Sequence, residues 1–166
     1  MNDLRIAQRL PHSLQALRLR WQVAGVVEAG FVAGGIALAA MIAVSVGAYD
    51  ESPWKLLRMM AAIVAGPAVL APADGFDAGI VLAGLGVHFA LAVLYTAALR
   101  SVLRDVPRVA APLAGMAFGI TLYAANLYGF TALFGWFEEL RTPDTFVAHV
   151  LFGLLAASLC PRRRRN

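Results

Sequence analysis

The sequence has few of the charged residues that a water-soluble domain carries on its surface. Only 14% of its 166 residues are charged, whereas a soluble domain has about a quarter. Hydrophobic residues make up 60% of the chain, and the mean hydropathy is +0.71. These residues fall in long blocks, so the composition excludes a disordered chain and an ordinary cytosolic enzyme. It predicts a protein that is embedded in a lipid bilayer.

The chain also lacks a second cysteine and the common catalytic motifs. The single cysteine, Cys160, cannot form an intrachain disulfide, which excludes a small secreted domain held by disulfides. The chain has no Walker A, HExxH, GxSxG or CxxC sequence. No serine or cysteine stands beside a histidine at helical spacing. We therefore predict a protein without enzymatic activity, and we identify no catalytic residue and no metal-binding cluster.

Four apolar stretches have the length, or nearly the length, that a bilayer requires. They cover residues 23–46, 77–99, 111–133 and 145–160. A hydrocarbon core of about 30 Å needs roughly 20 helical residues. The fourth stretch is short, so we expect Pro143 and Asp144 to extend it or the bilayer to be locally thin. The sequence thus predicts an all-α membrane protein with a bundle of four transmembrane helices.

The positive charges predict the orientation of these helices. All but three of the 14 Lys and Arg residues precede the first stretch, lie between the second and third, or follow the fourth. The exceptions are Lys55, Arg58 and Arg141, and most acidic residues lie in the same connections as these three. Because Lys and Arg are retained on the cytoplasmic side, both termini should be cytoplasmic. An even number of spans requires the same arrangement.

The two ends of the chain are basic segments, residues 1–22 and 161–166. Residues 10, 14, 17 and 21 are apolar at helical spacing, which predicts an amphipathic helix on the inner leaflet, interrupted near Pro11. A frayed basic tail and an organelle-targeting leader are alternatives. Contact with anionic lipid is expected at this face, and binding to nucleic acid is not. A cleaved signal peptide ending near Ala39 is disfavoured, because the apolar run of about 24 residues exceeds a signal peptide's core.

The external connection between the first two spans contains its own helix signals. Ser52 and Pro53 form an N-cap followed by proline at the first helical position, and Gly66 with Pro67 is a helix stop. The helix between them, about residues 53–65, is too short to cross a bilayer. We expect it to be interfacial or re-entrant and to cap the bundle. Its polar face should carry Lys55 and Arg58, and its apolar face Met59, Met60, Ile63 and Val64.

Polar residues inside the spans are the candidate functional residues, because each is costly in lipid. His88, Asn126 and His149 are expected in the outer half of the bundle, where they would form a polar pocket below the capping helix. Asp77 and Tyr95 point in nearly the same direction as His88 on a helix. The remaining candidates for a ligand or ion pocket are Tyr123, three residues from Asn126, and Glu28 in the first span.

The two histidines also permit a haem- or cofactor-binding redox protein as an alternative function. A haem iron held by two histidines needs both rings at one depth. Counted at ~1.5 Å per residue, His88 lies about 16 Å from the outer end of its span and His149 about 6–8 Å from its own. We therefore expect a mismatch of about 8 Å, which counts against a shared iron.

Two GxxxG sequences, a pattern that lets helices approach closely, occupy corresponding places in the two halves of the chain. Gly30 and Gly34 lie in the first span, and Gly115 and Gly119 in the third. The span that follows each pair contains a histidine, so the halves resemble parallel two-span repeats; chance is the alternative, because small residues are common in every transmembrane helix. A homodimer through these glycine faces is a predicted assembly.

Three stretches of the sequence resemble a family of small four-span bacterial inner-membrane proteins of unknown function. They are Ser52-Pro53-Trp54 with residues 57–63, residues 76–89, and residues 126–131 with Trp136-Phe137. The likeness extends from about Gly30 to Gly153 and implies a four-span fold in the bacterial inner membrane. It supplies no activity and no site residue. Some members are labelled sodium:proline symporters, but four spans cannot form the midplane site of those larger proteins.

These observations predict a non-enzymatic accessory or small transport-like component of the inner membrane. The orientation can be tested directly. A reporter enzyme that is active only outside the cytoplasm should be inactive when it is fused after Asn166, because the positive charges retain this end inside. An active fusion, or a chain that is freely soluble in water, would overturn the predicted arrangement.

Overall fold

The computed structural model describes residues 12–160, with side chains described from residue 20. The described residues are mostly helical and contain no β-strand, which confirms the all-α expectation. Its α-helices are α1 (His12–Tyr49), α2 (Lys55–Ala65), α3 (Ala78–Val102), α4 (Ala111–Ala124) and α5 (Pro143–Leu159). The predicted amphipathic residues before His12 and the basic tail 161–166 lie outside the described residues.

Shorter helical turns connect the main helices. Single 3-10 turns, Pro67–Leu70 and Arg108–Ala110, precede α3 and α4. The end of α4 continues as a π-helical turn, Ala125–Gly129, and then as a 3-10 turn, Phe130–Ala132. A further 3-10 helix, Gly135–Leu140, leads to α5. The third predicted span is therefore regular α-helix only to Ala124.

Three segments are long and apolar enough to cross a membrane, which indicates a membrane protein. They are Arg20–Tyr49, Ala78–Val102 and Arg108–Ala132. The fourth apolar helix, α5, has 17 residues. Large apolar side chains on the outside, such as Leu82 and Leu113, are typical of helices that face lipid.

Helix α1 is continuous across the boundary that the sequence predicts near residue 22. It runs without interruption from His12 to Tyr49. No proline lies within this range, and its glycines are tolerated in helices that pack closely. The basic segment from His12 onward and the first apolar stretch are therefore one helix.

Helix α2 lies where the sequence predicts a capping helix, with a later start. Ser52 Oγ accepts a hydrogen bond from Trp54 N at 3.2 Å, and the α-helix begins at Lys55. Gly66 ends it with φ of 82°, a conformation that glycine adopts without strain. The backbone of Leu57 rests against Gly84 of α3, where a Cβ atom would collide with the Leu57 carbonyl.

The predicted faces of α2 are partly wrong. Arg58, expected on the polar face with Lys55, is only 4% exposed, and Val64, expected on the apolar face, is 69% exposed. Arg58 donates from Nε and Nη2 to the carbonyl of Gly75, at 3.0 and 2.7 Å, and from Nη1 to that of Val69 at 2.8 Å. These bonds fix the 67–77 connection to α2 and explain why a cation is buried here.

The helices pack in pairs through their glycines. In the first pair, α1 crosses α3 at Gly30 and Gly34, where added Cβ atoms would meet Val93 Cα at 2.9 Å and Ala92 Cβ at 2.8 Å. In the second pair, α4 crosses α5 at Gly115 and Gly119, where added Cβ atoms would collide with the carbonyls of α5. Helices α1 and α5 join the two pairs, whereas α3 and α4 scarcely touch.

Both GxxxG sequences therefore serve contacts within the chain. Each packs against the histidine-bearing helix of its own half, as the two-span repeat in the sequence suggests. A homodimer that used these four glycines would have to displace α3 or α5. The homodimer through these glycines stays a prediction.

The close contact between α4 and α5 can be tested by adding a single methyl group. Gly153 of α5 packs on the carbonyl of Gly115, whereas a Cβ atom at Gly86 of α3 would meet nothing within 4 Å. Gly153→Ala should lower the free energy of unfolding by about 1–3 kcal/mol, because the helices must separate. Gly86→Ala should not lower it. Unfolding of the purified proteins in mixed micelles measures the difference, and equal effects would contradict the packing.

Candidate functional site

A cavity of about 360 Å³ lies between the two helix pairs. Most of its wall is apolar, and every helix from α1 to α5 contributes to it. The polar residues among those that line it are His88, Tyr95, Asn126, Thr145 and His149. In the part of the chain that the structure describes, no Asp, Glu, Lys or Arg lines this cavity. The site is therefore uncharged when its histidines are neutral.

A chain of hydrogen bonds crosses the cavity from α3 to α5. The Tyr95 hydroxyl donates to Asn126 Oδ1 at 2.8 Å, and Asn126 Nδ2 lies 3.4 Å from His149 Nε2. His149 Nδ1 lies 2.8 Å from the carbonyl oxygen of Thr145. Because a carbonyl can only accept, Nδ1 bears the proton and Nε2 accepts from the amide of Asn126. Each group in this chain therefore donates a hydrogen bond to the next, from Tyr95 through Asn126 and His149 to the backbone of α5.

His88 is held by the neighbouring helix. Its Nε2 lies 3.1 Å from the carbonyl oxygen of Gly34 on α1, so this nitrogen carries the proton and donates. Its Nδ1 is then an acceptor, and no residue that the structure describes donates to it. The ring packs edge-on against Phe89, with centroids 5.2 Å apart.

The irregular end of α4 positions Asn126. The π-helical turn begins at Ala125 and widens the helix, a departure that is common at functional sites. Arg141 stabilises it by donating from Nε to the carbonyl of Leu127 at 2.8 Å and from Nη2 to the Thr131 hydroxyl at 2.8 Å. Its guanidinium also lies 4.6 Å from the centre of the Tyr128 ring. An arginine in the connection before α5 thus fixes the turn that contains Asn126.

A roof covers the cavity, and we define it as α2 together with the 3-10 helix Gly135–Leu140. The Trp136 indole donates to the carbonyl of Met59 at 3.1 Å, which joins the two parts. Lys55 bonds Glu51 and Glu139, at 2.7 and 2.9 Å. Partial burial opposes the charge of Lys55, but the two carboxylates outweigh it and raise the pKa of this ammonium. These contacts hold the roof over the helix pairs.

The structure brings together three of the six residues that the sequence predicts for the pocket. His88, Asn126 and His149 all line the cavity. Tyr123 does not line it, although its ring lies 5.7 Å from that of His149. Asp77 is the N-cap of α3 and accepts a hydrogen bond from Ile80 N at 3.0 Å. Glu28 lies on the exposed side of α1.

Thr145 and Arg141 contribute to the site and are missed by reasoning from sequence. Thr145 is 3% exposed and lies in the first turn of α5, where the Thr142 hydroxyl forms a 2.9 Å hydrogen bond with its side chain. The Thr-Pro pair at positions 142–143 is an N-cap signal that could have placed this threonine. Nothing in the sequence links Arg141 to Leu127, because that contact depends on the π-helical turn. Tyr95, by contrast, shares a helix face with His88 and could be expected.

The two histidines line the same cavity, although residue counting predicts different depths for them. The prediction measures each histidine from the outer end of its span. In the structure α5 begins beneath the roof, and Thr145 in its first turn already lines the cavity. Both rings therefore border one cavity, and the mismatch in their depths stays a prediction. Each histidine nevertheless uses its Nε2 in a hydrogen bond, which an iron bound at that atom would break.

Comparisons of the chain with protein-family models, curated proteins and solved structures gave no match. The resemblance to small four-span inner-membrane proteins stays an expectation. The chemistry of the site rests on its own geometry, an apolar cavity crossed by a directional set of neutral hydrogen bonds.

The hydrogen bond between Tyr95 and Asn126 should couple α3 to α4. We expect the double variant Tyr95→Phe/Asn126→Ala to lose less stability than the two single variants together. The difference should be about 0.6–2 kcal/mol, the range for a hydrogen bond between membrane helices. Unfolding in mixed micelles measures it. Tyr95→Phe with Ser158→Ala, whose hydroxyl bonds only its own helix at Leu154, should be additive. Additivity in both pairs would contradict the coupling.

Proposed function

We propose that this protein is a non-enzymatic component of the bacterial inner membrane that binds a small uncharged molecule in its cavity. It would act as an accessory or small transport-like protein. In this proposal α1, α3, α4 with its irregular end, and α5 form a four-span bundle. Both termini are in the cytoplasm, and α2 is a re-entrant or interfacial helix on the outer side.

Two observations support the arrangement in the membrane. The three long apolar segments need a fourth span if both basic ends are to lie on one side, and α5 is the remaining apolar helix. At ~1.5 Å per residue it measures about 25 Å, which a slightly thinned bilayer accommodates. Helix α2 packs on α3 at Gly84, about two turns below the start of that helix. This depth favours insertion of α2 between the outer ends of the spans.

The cavity is the observation that carries the function. Small-molecule sites are concave, mostly apolar pockets of about 300–1,000 Å³ that contain a few polar groups. This cavity has that size, and its polar groups come from α3, α4 and α5. No serine, cysteine or carboxylate lines it among the described residues, so the groups that covalent or acid–base catalysis uses are limited to the histidines, Tyr95 and Thr145. These features favour binding over chemistry.

The alternative function, a redox protein that holds haem or another cofactor, is favoured by one observation. His88 and His149 line one cavity, as a ligand between them requires. A purified protein that shows a Soret band after haem addition, and loses it in both His88→Ala and His149→Ala, would support this alternative. No Soret band before or after addition of haem would exclude haem as the cofactor.

Occupancy of the cavity can be tested by filling it. Ala148 of α5 lines the cavity, whereas its neighbour Val147 is 60% exposed and does not. Native mass spectrometry of the protein released from nanodiscs should detect a small molecule that is retained by wild type and by Val147→Leu. The bound fraction should fall several-fold in Ala148→Leu, because the added methyl groups take the ligand's space. Equal retention by the two variants would place the ligand elsewhere and overturn the proposed function.

A further inference from the structure

We infer that the ligand is a neutral amphiphile with a hydroxyl head group, a lipid alcohol, and that it reaches the cavity sideways from the bilayer between α3 and α4. This inference rests on the proposed function and specifies its ligand and its route. The head group follows from the hydrogen-bonding groups that the cavity leaves unused. The route follows from where the cavity is covered and where it is open.

The cavity offers both a donor and an acceptor for a ligand. Asn126 uses one proton of its amide for His149, so the second Nδ2 proton has no partner among the described residues. His88 donates from Nε2 to Gly34, which leaves Nδ1 as an acceptor without a partner there. Both residues line the cavity, and a hydroxyl group that reaches both would accept from Asn126 and donate to His88. A ketone, ester or quinone oxygen can only accept, so it would leave the His88 acceptor unsatisfied.

Charge excludes the other common lipid head groups. A carboxylate or phosphate in an apolar cavity needs a cation, and an amine needs an anion. The buried cation Arg58 is outside the cavity lining and is committed to the carbonyls of Val69 and Gly75. Arg141 is likewise committed to Leu127 and Thr131. A neutral head group is therefore the one that this site satisfies.

The route follows from the packing of the helices. The roof covers the outer side of the cavity with Leu56, Met60, Phe137 and Leu140, so a ligand from the aqueous side would have to displace it. Helices α3 and α4 scarcely touch along their lengths. Leu94 of α3 and Phe130 after α4 line the cavity and are also 60% and 47% exposed. These side chains join the cavity to the surface that faces lipid.

Photolabelling of the full chain in liposomes tests the head group. Three probes with the same alkyl chain and diazirine would differ only in a terminal alcohol, methyl ketone or carboxylic acid. The alcohol should label peptides of the cavity wall about fivefold more than the ketone, the value of one hydrogen bond, and more than the acid. His88→Leu should reduce the advantage of the alcohol over the ketone to about one. Asn126→Leu should weaken both, since both accept from the amide.

Substitutions on α3 test the route. Leu94→Trp should slow labelling of the cavity by every probe several-fold, because the larger side chain blocks the opening. Leu82→Trp is the matched control, since Leu82 is 68% exposed on the same helix and does not line the cavity. Equal rates for the two variants would overturn the sideways route.

The remaining outcomes separate the inference from the proposed function. If the ketone or the acid labels the cavity as strongly as the alcohol does, the inference that the head group is a hydroxyl is overturned. That result would leave the proposed function in place. Persistence of the alcohol's advantage in His88→Leu would also overturn it, since the acceptor would lie elsewhere. Absence of cavity labelling by all three probes in the wild type would overturn the lipid alcohol as the ligand, whereas the proposed function is decided separately by retention of a small molecule in Val147→Leu and its loss in Ala148→Leu.

Discussion

Close contact between helix backbones is the constraint on which this structure depends. Helices in lipid gain little from burying apolar side chains against each other, so they associate through dense packing and hydrogen bonds. Here glycines supply that packing at two crossings, Gly30 and Gly34 against α3, and Gly115 and Gly119 against α5. Each crossing joins the two helices of one half of the chain. Helices α3 and α4 belong to different pairs and have no comparable contact with each other.

The cavity is the consequence of this pairing. It lies where the two pairs diverge, beneath a roof that is fixed by Lys55, by Trp136 and by the buried Arg58. The end of α4 bends out of α-helical geometry, and Arg141 satisfies the carbonyl of Leu127 in the π-helical turn. Because lipid offers no water to such a carbonyl, an internal donor is needed wherever the helix is irregular. Arg141 therefore has two roles: it fixes the turn that contains Asn126, and it supplies the hydrogen bond that the Leu127 carbonyl needs in a membrane.

Much of the fold could be predicted from sequence, because hydrophobic length and helix-end signals act locally. The apolar stretches and the stop at Gly66 follow from a few neighbouring residues, whereas the predicted N-cap at Ser52 is wrong, because the N-cap of α2 is Trp54. Prediction from sequence failed where contacts between segments that are distant in the chain determine the position of a side chain. Arg58 looked like a surface residue, but the 67–77 connection supplies the carbonyls that bind it and buries it. Counting residues along each span could not show that His88 and His149 line one cavity, because it does not place one span beside another.

The sequence by itself determined that the chain is helical and apolar, which residues are costly in lipid, and which ends carry the positive charge. These properties depend on the amino-acid composition and on the spacing of apolar residues along the chain, and both are fixed before any tertiary contact forms. Only the tertiary structure decided that His88, Asn126 and His149 share one cavity while Asp77, Glu28 and Tyr123 do not line it. The reason is physical: a helix fixes the direction of a side chain relative to its own axis, but the crossings at the glycines decide what that direction meets.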